Sequence, residues 1–441
     1  MLRAPPRLWS LSCRYPQPKC SRPFSSHSFL RFPRSTGRLN ESTSGSRSSA
    51  SGAHTTFEES GTSFASKLGR PSVRRQVLFF LFGSSTAFLY AAWRTDLETS
   101  LVLERLRSQA HIWNFQTITN RDLIKFQQVE LITKLRNQYA YVTSEVPKVL
   151  RSWMSLLYLS IFQPYADASE GRRLCWKICL LNAGIWVMWK FRRMQPIMAR
   201  NFAHNPLSGL SFTLLTSMFS HQGFFHLALN CLALESFGSA AYTYLQKSQN
   251  HQHPEQLEST SIHHFMGFFL SAGMFSGLFS HIMSVKFKYP RLIANLSSPA
   301  NIPKFTDTWA SAVASASSAA KTSPKGSYLW RSAPSTATKV SSELPSSLGA
   351  SGAIYACVTM TALAFPSAQI SLVVPPSYPI DIQTGVAGLL LIDVIGALRG
   401  WRLIDHWAHL GGAAFGAAYW TFGPEFWSRL RRQPKQEEPS S

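Results

Sequence analysis

Long apolar segments recur along the chain from residue 77 onward, separated by polar stretches. A helix needs roughly 20 predominantly apolar residues to cross a bilayer core about 30 Å thick. The first such segment, residues 77–93, has arginines on both sides. Six further segments lie at 174–191, 224–245, 265–283, 348–365, 384–398 and 405–422. The pattern predicts an all-α polytopic membrane protein, with a six-helix core at 174–422 and one extra transmembrane helix before it.

The polar stretches between these segments predict the domain organisation. Residues 95–170 have amphipathic helical patterning and are predicted to form a polar helical connector. Within the connector, 153–162 is apolar but too short to span, which favours a position at the membrane interface. Residues 286–344 are rich in Ser, Ala, Pro and Lys and predict a disordered insertion in the core. A polar C-terminal tail is expected at 423–441.

The first 70 residues have the composition of a targeting segment rather than of a folded domain. They are rich in arginine and serine, and no acidic residue precedes Glu41. This composition is typical of a mitochondrial transit peptide, and the absence of an apolar core before residue 77 argues against a secretory signal. The alternative is a disordered basic tail without a targeting signal.

Charge and cysteine content exclude some functions. The net charge of +22 is not accompanied by a nucleic-acid-binding motif, so no nucleic-acid partner is expected. The six cysteines show neither metal-type spacing nor a dense disulfide framework. No cofactor is predicted.

Polar residues within apolar segments are the candidate functional residues, because ionisable groups are costly in a membrane. They are His226, Asn230, Glu235, Ser351, Asp393, His406 and His409.

Ser351 and His409 form the candidate catalytic pair. Small residues surround the serine at Gly349 and Gly352, and Gly412 and Gly416 recur at a four-residue spacing after the histidine. Such small-residue faces allow two membrane helices to approach closely. A serine hydroxyl becomes nucleophilic when a base accepts its proton, and His409 is the predicted base and later acid.

The remaining predicted site residues would support this pair. His226 and Asn230 share a helical face, and with the Ser351 backbone N–H they could donate hydrogen bonds to an oxyanion. Tyr355, one turn after the serine, is expected to pack against the His409 ring. No acidic residue lies beside His409 on its own helix face, so a dyad is predicted. Asp393 is given no catalytic role, and Glu235 is expected at a packing or interface position.

Each feature also has a simpler explanation. Small residues are ordinary at membrane-helix interfaces, and a buried histidine usually hydrogen-bonds a neighbour. His406 and His409 have a plausible spacing for metal ligands, but no HExxH motif or carboxylate pair accompanies them, so no metal site is predicted. The serine motif also departs from GxSxG, because Ala353 replaces the second glycine.

Three motifs together resemble the rhomboid intramembrane serine proteases: HQGFFHLALN at 221–230, GASGAIYA at 349–356 and AHLGGAAFG at 408–416. The resemblance implies a six-helix rhomboid core with Ser351 as nucleophile and His409 as general base. It also implies an oxyanion hole formed by His226, Asn230 and the Ser351 amide. His221 matches a polar family position whose role stays open.

The leader, the extra helix and the wording DHWAHLGG resemble the mitochondrial branch, the presenilin-associated rhomboid-like proteases. This branch implies a multi-pass protein of the mitochondrial inner membrane that cleaves single-span membrane proteins. The implied substrates include inner-membrane dynamin-like GTPases and a peroxidase precursor. The long insertion departs from the compact family core.

Two other functions compete with proteolysis. A rhomboid-like pseudoprotease would bind and sort membrane clients without cleaving them, although such proteins usually lack the serine or the histidine. A channel or transporter would show internal repeats with paired broken helices, and none is found in the sequence. The odd number of predicted spans places the two termini on opposite faces of the membrane.

Overall fold

The computed structural model describes residues 70–109, 118–296, 346–371, 378–401 and 404–432, together with residue 344. The predicted leader therefore lies outside the described residues, as do most of the predicted insertion and the last residues of the predicted tail.

The chain upstream of the core is helical, as predicted. The extra helix α1 (Val73–Gln109) is one continuous helix of 37 residues, longer than the predicted span. The connector then forms α2 (Asn120–Glu145) and α3 (Lys148–Leu157). A π-helical turn (Tyr158–Phe162) and the short helix α4 (Gln163–Asp167) continue from α3 to the core.

The core contains six long helical segments. The first is α5 (Glu170–Lys190), and the loop after it carries the short helices α6 (Gln195–Asn201) and α7 (Thr213–Thr216) and 3-10 turns at Pro206–Ser208 and Ser217–Phe219. The second segment is α8 (Phe224–Ala233), a π-helical turn (Leu234–Gly238) and α9 (Ser239–Gln252). The third is α10 (Ile262–Met283), a π-helical turn (Ser284–Lys288) and α11 (Tyr289–Leu296). The last three are α12 (Ser351–Ala364), α13 (Ile382–Arg399) and α14 (His406–Arg431). A two-residue antiparallel pair, β1 (Gln369–Ile370) with β2 (Ile380–Asp381), precedes α13.

Among the described residues, three helical stretches are long and apolar enough to cross a membrane by length and composition. They are Val73–Gln109, Ile262–Asn295 and Ile382–Arg399, and α12 is a shorter apolar helix. The fold is an all-α polytopic membrane protein with one helix added before a six-helix core.

Two helices extend beyond the apolar segments that predicted them. The third core segment continues to Leu296, so the predicted insertion cannot begin at 286. The last helix continues to Arg431, beyond the predicted tail boundary at 423, and contains Pro424. Proline has no N–H to donate to the carbonyl four residues earlier. That carbonyl, of Trp420, accepts the Tyr244 hydroxyl instead (3.2 Å).

Helix α12 lies at the centre of the bundle, and ten of its fourteen residues are buried. Its closest neighbour is α14. A Cβ added at Gly412 would overlap the Gly352 carbonyl, and one added at Gly416 would overlap the Ala356 carbonyl. Backbone therefore packs on backbone along this interface, as the glycine spacing predicted.

Helix α1 runs antiparallel to α10. Phe88 of α1 packs against Gly267, near the start of α10, whereas Gly83 faces Met274 further along it. The Arg75 guanidinium donates a hydrogen bond to the Gly209 carbonyl (3.0 Å) in the loop between α5 and α8. The same loop pairs with the segment leading into α12 through His204 and Ser347. The start of α1 and the start of α12 therefore lie on the same face of the bundle.

A buried ionic cluster joins α1 to the core at the opposite face. The Arg431 guanidinium lies 2.7 Å from Glu258 and 2.8 Å from Asp96. The Trp427 indole N–H also donates to Glu258 (3.1 Å). The Arg431 and Glu258 side chains are each only 2% exposed, so both charges depend on this pairing.

Candidate active site

Ser351 is the first residue of α12, and a glycine turn places it there. Gly349 has φ +124, which favours glycine, and a Cβ at this position would lie 2.8 Å from Cε1 of His226. The Gly349 N–H donates to the Ser217 carbonyl (2.9 Å). The turn therefore fixes Ser351 beside His226. The Ser351 N–H belongs to the first turn of the helix, where backbone donors have no intrahelical acceptor.

His409 lies in the first turn of α14. The Asp405 carboxylate caps this helix by accepting the Ala408 N–H (3.3 Å), and it accepts the Ser280 hydroxyl as well (2.6 Å). The capped helix positions the His409 ring so that its Nε2 lies 2.9 Å from Ser351 Oγ. Fifty-eight residues separate the two in sequence, and the close contact of α12 with α14 brings them together.

Tyr355 packs on the ring of His409. The two ring centroids are 4.2 Å apart, and the planes are inclined by only 11°. Since Tyr355 and Ser351 are one turn apart on α12, the same helix presents both the hydroxyl and the aromatic surface to His409.

Asp393 reaches the same histidine from α13, although no catalytic role was predicted for it. Its Oδ1 lies 3.0 Å from Nδ1 of His409 and 2.6 Å from Nδ1 of His406. The side chain is 1% exposed. The acidic partner of His409, which the search of its own helix face did not find, comes from the neighbouring helix α13 and not from α14 itself.

A signal for this contact was present in the sequence. A carboxylate inside a membrane needs a partner, and the nearest histidines after Asp393 within an apolar segment are His406 and His409. Gly396, one turn after Asp393, leaves space for the His406 ring, which a Cβ there would overlap.

His226 lies beside the serine turn, and Asn230 lies one turn further along α8. The His226 ring contacts Gly349, and both His226 and Ser351 are partly exposed. The Asn230 amide, however, donates to the His226 carbonyl (2.7 Å), one turn back in its own helix. This amide would have to leave that carbonyl before it could donate to an oxyanion.

His221 supports the turn from behind. The ring is fully buried, it accepts the Ala350 N–H at Nε2 (3.4 Å), and it meets His226 edge-on with ring centroids 5.0 Å apart. Burial, reinforced by the neighbouring His226, lowers the pKa of His221 to about 4. The neutral ring is the form that can accept the backbone N–H.

Glu235, another polar candidate from the sequence, does not join the site. It lies in the π-helical turn after α8 and forms an ion pair with Arg172 (3.4 Å). Within the described part of the chain, no group of three His, Cys, Asp or Glu side chains is arranged to hold a metal ion.

Comparison with known proteins identifies a Rhomboid domain at residues 308–425. The presenilin-associated rhomboid-like proteins, mitochondrial, of Mus musculus and Homo sapiens are each 24% identical to this chain over 319 residues. The matched region is 72% of this chain, 63% of the mouse protein and 62% of the human protein. Rhomboid protein 1, mitochondrial, of Saccharomyces cerevisiae is 24% identical over 241 residues, which are 54% of this chain and 48% of the yeast protein. No solved structure matches.

The chain thus spans slightly less than two thirds of its mouse relative, in which 63% of the length is matched. The apolar helices and the mitochondrial relatives indicate a mitochondrial membrane protein. The Rhomboid domain, the helical bundle and these relatives agree: the chain carries a Rhomboid domain and is similar to the mitochondrial presenilin-associated rhomboid-like proteins.

Proposed function

We propose that this protein is an intramembrane serine endopeptidase that cleaves transmembrane segments of mitochondrial inner-membrane proteins. The observation that carries the proposal is the 2.9 Å separation between Ser351 Oγ and His409 Nε2 at the start of a central, buried helix. A hydroxyl and an imidazole at hydrogen-bond distance are what general-base activation of a serine requires.

The reaction would begin when Nε2 of His409 accepts the Ser351 proton as Oγ attacks the substrate carbonyl carbon. For Nε2 to be free to accept, Nδ1 must carry the ring proton, and the Asp393 carboxylate beside Nδ1 favours that tautomer. The tetrahedral oxyanion would accept hydrogen bonds from the Ser351 N–H and His226, and from Asn230 once its amide turns away from the His226 carbonyl.

Collapse of the intermediate would break the C–N bond, with His409 donating its proton to the leaving amine. Water would then attack the acyl-enzyme, with His409 again as base, and release the second product and free Ser351. Partial exposure of Ser351 and His226 gives that water a route. The helix N-terminus at Ser351 also favours the developing negative charge.

The orientation follows from the fold if the leader is a transit peptide that enters the matrix. The start of α1 would then lie on the matrix side, and the start of α12 lies on the same face of the bundle. We place the mouth of the site towards the matrix in a multi-pass inner-membrane protein. Single-span proteins, including the dynamin-like GTPase and peroxidase precursors that the family resemblance implies, would be its substrates.

Covalent labelling tests the proposed nucleophile directly. A fluorophosphonate probe should modify the intact protein at Ser351, with the adduct located by peptide mass spectrometry. Ser351→Ala and His409→Ala should abolish labelling, whereas Ser144→Ala, at an exposed serine of the connector, should not. An intact, folded protein that stays unlabelled would contradict the protease proposal and favour the pseudoprotease alternative.

A further inference from the structure

An unpartnered apolar surface lies on the connector, far along the chain from the catalytic residues. Helix α3 and the π-helical turn after it expose eight large apolar side chains, with Val149 83% and Trp153 70% exposed. Six of the eight recur every three or four residues and so line one side of the helix. We call this set the α3 stripe: Val149, Leu150, Trp153, Leu156, Leu157 and Ile161.

The other side of α3 already has its protein partner. The Tyr158 ring packs against Tyr139 of α2 with centroids 4.3 Å apart, and the Tyr139 and Ser155 hydroxyls share a hydrogen bond (2.8 Å). Helix α3 is thus held to α2 through the side that carries Ser155 and Tyr158. The stripe lies on the other side of α3 and faces away from α2. Soluble surfaces rarely carry so continuous an apolar patch, which indicates that something covers it.

The position of the stripe indicates that the membrane shields these apolar side chains from water. Helix α4 ends at Asp167 and α5, the first core helix, begins at Glu170, so the connector joins the bundle with almost no intervening chain. The stripe leads into an apolar groove of about 450 Å³ that is lined by Ile161, Phe162 and Trp176, among others.

Trp176 belongs to α5, which continues the apolar surface along the outside of the bundle. Leu180 (74% exposed) and Leu181 (51% exposed) follow it one turn later. In a polytopic membrane protein, exposed leucines on a core helix face lipid. The stripe, the groove and the lipid-facing side of α5 therefore form one continuous apolar surface.

The exposed charges of α3 and the ring of Trp153 also suit a lipid surface. Lys148 and Arg151 are exposed, and neither forms an ion pair with any residue that the structure describes. Basic side chains on the polar face of an amphipathic helix are typical of helices that lie in the interface of anionic membranes. Trp153 has the amphipathic ring that concentrates at that depth.

We propose that the α3 stripe is a membrane-surface anchor, which inserts into the leaflet on the face opposite the active-site mouth and holds the connector there. The occupant is the lipid leaflet, rather than a partner protein or a second copy of the chain. The proposal rests on the polytopic fold and not on catalysis, so it stands or falls independently of the proposed protease activity.

The test places an environment-sensitive fluorescent amino acid at position 153 in the full chain, reconstituted into liposomes that contain an anionic phospholipid. The matched control carries the same label at Ser152, an exposed polar neighbour that points about a quarter of a turn away. At position 153 we expect blue-shifted emission, quenching by lipid-attached nitroxides and protection from aqueous iodide. At position 152 we expect iodide quenching at least several-fold stronger than at 153.

Two results would overturn the proposal. Iodide quenching at 153 equal to that at 152 would show an exposed surface. Protection at 153 from both quenchers would show a protein cover, and dependence of that protection on protein density in the membrane would identify a second copy.

A pair of charge variants tests the anchor without a label. Trp153→Glu places a carboxylate in the centre of the stripe, and Ser152→Glu adds the same charge beside it. Both residues are exposed, so neither change disturbs packing. In liposomes, amide hydrogen exchange over 148–163 should become at least tenfold faster in Trp153→Glu and stay near the intact rate in Ser152→Glu. Equal exchange in both variants would contradict insertion of the stripe.

Discussion

A carboxylate on α13 contacts the histidine that faces Ser351, so three helices contribute to one line of polar contacts. The Asp393 carboxylate is a positioning group: it touches Nδ1 of His409 rather than the reacting atoms. Its neighbour His406 shares the same oxygen, which fixes the carboxylate from a second direction.

Asp393→Asn tests this role. The amide can donate to Nδ1 as well as accept from it, so the wrong tautomer of His409 becomes available. We expect kcat to fall by about 100-fold or more with KM nearly unchanged, because substrate contacts are not altered. Glu235→Gln, which removes a carboxylate from the exposed pair with Arg172, should leave kcat unchanged. Equal kcat values for Asp393→Asn and the intact protein would refute the positioning role.

Gly412 tests the close approach of α14 to α12. An alanine methyl at this position would overlap the Gly352 carbonyl, and backbone cannot move aside as a flexible side chain can. Gly412→Ala should lower the free energy of unfolding by about 1–3 kcal/mol. It should also increase the distance between His409 and Ser351. Gly388→Ala, where nothing lies within 4 Å, is the matched control and should leave thermal stability intact. Thermal unfolding in detergent measures both.

His221 gives a prediction for pH. Burial, with the neighbouring His226, lowers the pKa of His221 to about 4 from its ordinary value of 6.5, so the unfolded chain binds more protons between these limits. Stability from this residue is therefore fully present above about pH 6.5 and is lost as pH falls towards 4. His221→Gln keeps a hydrogen-bond acceptor without the titration. The drop in unfolding temperature from pH 6.5 to 4 should be smaller in this variant, and an identical drop would exclude the residue as a cause.

At the scale of whole elements, each apolar segment predicted from the sequence lies in a helix of the described structure, but several helices end beyond their segment. Hydropathy marks where a helix leaves the apolar layer, whereas hydrogen bonding and packing decide where the helix itself stops. Lys286 and Lys288 leave the apolar segment, yet the helix continues through them to Leu296. Pro424 lies within the last helix, where Tyr244 donates to the Trp420 carbonyl that proline leaves without its usual donor, and the helix reaches Arg431.

Features that a spacing within one helix reveals were similarly easier to predict than the pairing of particular side chains from two helices. The four-residue spacing placed Tyr355 near Ser351, and the glycine spacing predicted the approach of α14 to α12. Asp393 was missed because a helical face describes only residues of the same helix. Its meeting with His409 depends on the rotation of α13 against α14, which no periodicity in the sequence reports.

Arg431 tests the attachment of α1 to the core. Arg431→Ala leaves Glu258 buried without its cation, and removal of one partner from a buried ion pair costs about 3–5 kcal/mol. Arg429→Ala, on the same helix, removes only an exposed pair with Glu425 and should change stability little. We expect a lower unfolding temperature and easier proteolysis near Asp96 in Arg431→Ala alone. Equal behaviour of the two variants would contradict the anchoring role.

At the scale of the whole molecule, the two faces of the bundle have different tasks. One face carries the start of α1, the loop between α5 and α8, and the start of α12 with Ser351. The opposite face carries the connector, the buried Arg431 cluster and the α3 stripe. The connector and the buried ion pairs that hold α1 to the core thus lie at one face, and the proposed catalytic serine lies at the other.

Cleavage of a single-span test substrate in liposomes measures the central claim most directly. The intact protein, Ser351→Ala, His409→Ala and the control Ser144→Ala would be reconstituted at equal density, with cut sites mapped by mass spectrometry. We predict one membrane-embedded or membrane-proximal cut, made by the intact protein and by Ser144→Ala, and absent from both active-site variants. A cut that persists in folded Ser351→Ala would contradict the account.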